Sequence, residues 1–202
     1  MAGASVGLRA RKKLATATAL QHAALDLFRE QGYVQTSVQQ IADAAGVSQR
    51  TFFRYFSTKD AVLLSEHGRR EAALRELLAT RPPEPVGDLL RVVVVHLADG
   101  VNDRRDLLAA QNGVFLTVPA LADRFCGHHD RLALIVAEHV ARVLGVSAGT
   151  DPRPRLAGGQ VIRAWTTSTL LWFLDGMEGD VRHRATETLR LARRDEALVD
   201  VA

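Results

Sequence analysis

The chain has 202 residues, 47% of them hydrophobic, and a formal net charge of +3. That apolar content is enough for an ordinary folded core and excludes bulk disorder. A single cysteine, Cys126, excludes a disulfide framework and a cysteine-rich metal cluster. The start, MAGASVGLRARKK, places its charges after a short, weakly apolar stretch, the wrong order for a secretory signal. Apolar runs such as Val92 to Val95 are far too short to span a bilayer. These features predict a cytoplasmic protein that does not enter the membrane.

Taken in order, residues 1 to about 10 read as an arm. The basic run Arg9, Arg11, Lys12 and Lys13 is either an ordinary solvated helix start or a DNA contact. A first helix is expected from about Lys13 to Gln31, striped by Leu20, Ala24, Leu27 and Phe28 and stopped by Gly32. Tyr33 and Val34 are expected to cover its base. Thr36 to Asp60, TSVQQIADAAGVSQRTFFRYFSTKD, then reads as two short helices joined at Gly46. Val38, Ile41, Ala42 and Ala45 stripe the first, and Thr36 with Gln39, or Ser37 with Gln40, can form its capping box. Gly46 supplies a positive φ, Val47 plugs the corner, and Ser48 caps a second helix whose Phe52 and Phe56 face the core. A small residue four before the glycine, an apolar one after it and a bulky one six after it fit a helix-turn-helix DNA reader.

Charge agrees with that reading. Residues 1–60 carry eight Lys or Arg against four Asp or Glu, while the rest carry 18 against 19. The basic surplus sits with the reader, as phosphate binding requires. The second helix should enter the major groove N-terminus first. Arg50 is placed to bind guanine bidentately, and Gln49 to bind adenine or a phosphate. Ser37, Ser48, Thr36, Thr51 and Tyr55 are expected near the backbone, with Lys59 as a point charge on phosphate, while Arg54 is either a phosphate contact or a solvated charge.

Farther along, Ser57 and Asp60 suggest an S-x-x-D box opening a helix that runs to about Thr80. The segment Arg81-Pro82-Pro83-Glu84-Pro85 ends it. Five helical patterns follow: Pro85 to Gly100, Asp103 to Leu116, Pro119 to Gly145, Pro152 or Pro154 to Gly176, and Asp180 to about Asp195. No long stretch alternates with period two, so the fold class is all-α. Leu156, Gly159, Ile162, Leu170 and Phe173 stripe the fourth of these, and Val181, Ala185, Thr188, Leu189 and Ala192 the fifth. Gly158 and Gly159 in mid-helix are expected to allow close backbone approach. Cys126, His128 and His129 are too close together along a helix to point one way, so no metal site is assigned.

The run T, IADAAGVS, RTFFRYF and K, from Thr36 through Lys59, resembles the TetR family of transcriptional regulators. The resemblance is close over roughly the first 65 residues and elsewhere extends to length and helical character. It implies an N-terminal three-helix DNA-binding domain at 1–58 and a C-terminal ligand-binding and dimerisation domain at 59–202. It further implies a homodimer, joined through the last two helices, that leaves a palindromic operator when a small-molecule effector binds. Arg50 stands where the family usually has glycine. Phe53 replaces a usual tyrosine, so it would pack on sugar or a thymine methyl instead of donating to phosphate. Candidate effector contacts are His96, Gln111, Asn112, Phe115, Trp165, Thr169 and Trp172. The D-P-R-P-R start at Asp151 and the tryptophan helix after it are similar to a subgroup with acyl-CoA-like ligands, and no cofactor is implied. The alternatives are an activator of the same fold, and a helical enzyme with an appended DNA-binding domain. The sequence holds no G-x-S-x-G, H-E-x-x-H, phosphate loop or dinucleotide fingerprint to favour an enzyme.

Overall fold

A computed structural model describes residues 7–64, 67–102 and 104–193. These form ten helices, and no strand occurs among them, so the all-α expectation holds. The arm up to residue 6, Asp103, Asp195 and the side chains of Phe125 and Cys126 lie outside the described residues. Packing divides the chain into two units: Met1–Ser65 with Ala109–Leu121, and Glu66–Leu108 with Ala122–Ala202. This division differs from the 1–58 and 59–202 split drawn from sequence. Val62 and Leu63 are fully buried, and the Gln111 amide donates to the Leu63 carbonyl at 2.5 Å. Contacts between residues so far apart leave no trace in local patterning.

The first unit contains α1 (Leu8–Gln31), α2 (Val38–Ala44), α3 (Gln49–Tyr55) and α4 (Ala61–Leu64). Helix α1 begins at Leu8, earlier than the expected Lys13, so the arm is shorter than the sequence suggested. Its buried face is Leu20, Ala24, Leu25 and Phe28, with Leu27 at the margin. Gly32, at φ 88°, ends it. Tyr33 tilts against Phe28 with ring centroids 5.0 Å apart, whereas Val34 is 74% exposed and covers nothing. Of the two possible capping boxes, Ser37 with Gln40 forms: the Gln40 N–H donates to Ser37 Oγ at 3.2 Å, and the Ser37 N–H to Gln40 Oε1 at 2.8 Å. Residues 57–60 are a turn, and Thr58 Oγ1 accepts from the Ala61 N–H at 3.3 Å, so the helix starts at Ala61 and not at Ser57.

The second unit holds α5 (His67–Ala79), α6 (Val86–Asn102), most of α8 (Pro119–Leu144), α9 (Pro152–Leu174) and α10 (Val181–Ala192). The division between the units falls within α7 (Arg105–Thr117) and near the start of α8. Asp151 and Asp180 cap α9 and α10, each carboxylate accepting the N–H two residues on at 2.9 Å. The core joins Leu89, Val93, Val94 and Leu97 of α6 to Leu132, Val136 and Val140 of α8, Val161 and Trp165 of α9, and Leu189 of α10.

This packing assigns part of the expected interface stripes to the chain's own core. The α10 stripe of Val181, Ala185 and Leu189 is buried inside its own chain, against α6 and α9. Ile162 of α9 is likewise internal. What α9 leaves exposed is Leu156, Leu170, Leu171 and Leu174. The paired glycines also separate in role. A Cβ on Gly158 would lie 2.2 Å from the Ala133 carbonyl oxygen of α8, whereas one on Gly159 meets nothing within 4 Å.

Candidate DNA interface and effector cavity

The reading face is built from local capping and one aromatic anchor. Ser48 Oγ accepts from the Thr51 N–H at 3.1 Å and lies 3.0 Å from Thr51 Oγ1, which fixes the first turn of α3. Gly46 adopts φ 67° between the helices, and Val47 is half-buried in the corner. Phe52 is fully buried; it meets Phe53 edge-on at 5.5 Å and Phe56 at 5.7 Å. With that anchor inward, Gln49, Arg50, Phe53 and Arg54 form a continuous exposed face. Arg50 makes no ion pair among the described residues, so its guanidinium fork is available to an external acceptor. Arg54 lies over the half-buried Tyr55 ring at 5.3 Å.

Two expected phosphate contacts are engaged within the protein. Thr36 is 2% exposed; its hydroxyl donates to the Gly32 carbonyl at 2.8 Å and accepts from the Gln31 amide at 3.2 Å. It therefore ties the end of α1 to the start of α2 and does not face solvent. The Lys59 ammonium donates to the carbonyls of Tyr33 and Thr36, at 2.6 and 2.7 Å, and stands 4.1 Å above the Tyr33 ring. Desolvation holds its pKa below the ordinary lysine value, with Asp60 opposing part of that shift. Two of its three donors are used to fix the approach to α2.

In the second unit, α5 and α6 enclose a cavity of about 250 Å³. Arg69, Arg70, His96, Asp99 and Arg104 line it over an apolar floor that includes Ala73 and Leu97. His96, a candidate from sequence, is part of this lining; the arginines were not candidates, because arginines on a helix usually mark a solvated face. Beside the cavity, the Arg70 guanidinium lies 5.0 Å over the ring of Trp165. His129 meets the same indole edge-on at 5.6 Å. Burial, reinforced by Arg70 and Arg163, pushes the His129 pKa down to about 4, so its imidazole is neutral at physiological pH.

The other effector candidates are not gathered there. Thr169 donates to the Trp165 carbonyl at 2.8 Å. Trp172 is buried, donates to the Gly179 carbonyl at 3.3 Å and has Arg105 over its ring at 4.8 Å. Gln111, Asn112 and Phe115 belong to the first unit, where the Gln111 amide is engaged by Leu63 and the other two are half-buried. His128 lies 4.0 Å from Glu71, which also pairs with Arg131 at 2.8 Å. No group of three or more metal-ligating side chains occurs among the described residues.

Residues 20–65 match the model for bacterial regulatory proteins of the tetR family, and residues 84–195 match the MftR C-terminal domain. A curated relative, the HTH-type transcriptional regulator TcmR of Streptomyces glaucescens, is 32% identical over 173 residues, covering 79% of this chain and 76% of its own. The chain belongs to the TetR family. Among solved structures it is similar to Thermus thermophilus FadR, a TetR family repressor in complex with lauroyl-CoA. That likeness has a TM-score of 0.58 and 28% identity over 87% of this chain and 92% of the other. It shares the fold of the Bacillus halodurans fatty acid degradation regulator FadR, with TM-score 0.67 and 20% identity over 88% and 94% of the two chains.

As a TetR family member the protein is a transcriptional regulator and not an enzyme. No helix among the described residues is long and apolar enough to cross a membrane. The internal bonds of Lys59 change what its removal should do in this regulator. Lys59→Met should leave two backbone carbonyls short of a donor and destabilise the first unit by about 1–3 kcal/mol. Denaturant unfolding without DNA checks this, since a side chain that only touched phosphate would leave that curve unmoved.

Proposed function

We propose that this regulator is a homodimeric repressor that binds a palindromic operator and leaves it when a small-molecule effector occupies the C-terminal domain. The observation that carries the reading is the exposed face of Gln49, Arg50, Phe53 and Arg54 on a helix pinned by fully buried Phe52. One such helix per chain reads one half-site, and two-fold pairing places a second helix roughly 34–36 Å away. Ser37, Ser48, Thr51 and Tyr55 flank the face and supply backbone contacts. The exposed leucines of α9, Leu156, Leu170, Leu171 and Leu174, are the apolar surface offered to the second copy. The reader's exposed bases at Arg11, Lys12 and Lys13 add sequence-independent attraction to the duplex.

The effector is apolar or acyl-CoA-like, a reading supported by the FadR that binds lauroyl-CoA and resembles this chain over most of its length. Release requires only that the effector prefer the DNA-incompetent form: about 1.4 kcal/mol of preference for each tenfold loss of operator affinity. Such a regulator acts in the cytoplasm, where its operator lies. The test is a binding selection on random duplex DNA, repeated with lauroyl-CoA. The expected outcome is a palindromic motif whose recovery falls when lauroyl-CoA is added. Enrichment of no palindrome would remove the operator reading, and enrichment indifferent to lauroyl-CoA would remove the acyl-CoA assignment.

A further inference from the structure

We infer that the cavity between α5 and α6 is a subsite for an anionic group of the effector, a carboxylate or a phosphate, with Arg70 as its counter-charge. This deepens the effector reading above and rests on it. Three observations lead there. The Arg70 side chain is half-buried and has no carboxylate partner among the described residues; what it meets is the face of Trp165 at 5.0 Å. A ring face offsets part of the desolvation of a cation, but a guanidinium removed from water ordinarily finds an anion. Desolvation draws its pKa down only to about 10, so the group stays charged at neutral pH.

The cavity's own charges do not supply the missing anion. Asp99 lines it, yet its carboxylate pairs with Arg182 at 3.3 Å. Arg69 and Arg104 bring two more guanidinium groups to the lining. His96 brings an imidazole, which offers no negative charge. The third observation is a second donor packed against Arg70: Trp165 is 3% exposed and its indole N–H has no acceptor among the described residues. A buried N–H without a partner is uncommon and calls for an explanation. A carboxylate or phosphate at Arg70 would meet its fork of N–H donors in the bidentate geometry that such anions favour.

The volume limits what fits. About 250 Å³ holds a small anion or the charged end of a longer molecule, not a whole coenzyme thioester. Arg69 and Arg70 sit on α5, the helix that follows the reader's α4 in sequence. An anion drawn onto Arg70 therefore acts on α5 directly.

The experiment uses the full chain without DNA, reading tryptophan fluorescence and thermal stability. The probes are octanoate, its uncharged counterpart octanamide, and inorganic phosphate. Octanoate or phosphate should perturb the emission and raise Tm, with octanamide weaker by about tenfold or more. Arg70→Met should remove that preference, while Arg75→Met, on the exposed side of α5, should keep it. Competition of phosphate against octanoate assigns the site to phosphate-bearing effectors; octanoate binding without competition assigns it to carboxylates. Equal binding of octanoate and octanamide, silence of both anions at millimolar concentration, or full anion binding by folded Arg70→Met overturns the assignment. The wild-type comparison of charged and uncharged probes stands even if Arg70→Met does not fold. Because DNA is absent, failure here is separate from failure to select an operator.

Discussion

Gly158→Ala should destabilise the C-terminal unit by about 3 kcal/mol, lowering Tm by roughly 6–12 °C. The added Cβ would sit 2.2 Å from the Ala133 carbonyl oxygen and near the Ala137 nitrogen, and both of these are backbone atoms. A flexible side chain could swing aside, but backbone on the neighbouring helix moves only if α8 and α9 separate along their crossing. That separation loosens the contacts of Val161, Trp165, Leu132 and Val136, which are all buried in one core. Gly159→Ala is the matched comparison. A Cβ there meets nothing within 4 Å, and alanine in a helix interior is favoured over glycine by about 1 kcal/mol. Thermal unfolding of each variant should therefore move in opposite directions. Gly159 also lies on the side of α9 that carries the exposed leucines. In the proposed dimer, Gly159→Ala should weaken self-association while stabilising the fold, as sedimentation over a concentration series would report. A neutral Gly158→Ala would mean that the two helices do not cross as closely as described.

The second large effect is on recognition. Arg50→Ala should cost about 1–3 kcal/mol at one or two base pairs of each half-site and relax preference there. That corresponds to roughly a tenfold to hundredfold loss against the selected operator. Arg50→Lys should recover affinity for DNA in general but not the base preference, because an ammonium lacks the fork that matches guanine O6 and N7. The prediction rests on the exposure of Arg50 and on the rigidity of the helix that presents it, through the Ser48 cap and the buried Phe52. Titrating operator variants that differ at single positions measures it. If Arg50→Ala ranked those variants as the wild type does, base reading would have to be reassigned to Gln49 or Phe53.

The reader was legible because its determinants are local. Ser37 and Gln40 are three residues apart and cap α2; Gly46 must turn; Ser48 caps α3; Phe52 and Phe56 recur at helical spacing. Each is a rule about neighbours in the chain, and each appears in the structure where sequence put it. The roles of Thr36 and Lys59 were not legible for the opposite reason. A threonine beside a capping serine and a lysine after a reading helix look like phosphate contacts, until the carbonyls of Gly32, Tyr33 and Thr36 are found beside them. The apolar stripe of α10 was visible too, but periodicity reports that a face is buried, never against what. Here α6 and α9 of the same chain cover it.

The sequence by itself determined the helical class, the DNA-reading motif, the C-terminal helices to within a few residues, and the absence of catalytic signatures. These depend on period, caps and turn residues, whose physics acts over a few positions. Only the tertiary structure decided that Gly158 and not Gly159 meets a neighbouring backbone. It also decided that Gln111 serves the Leu63 carbonyl, and that Arg70 lies over Trp165 beside a cavity. Those facts depend on which distant segments come together, and burial turns an ordinary glycine, glutamine or arginine into a constraint only once its neighbours have arrived.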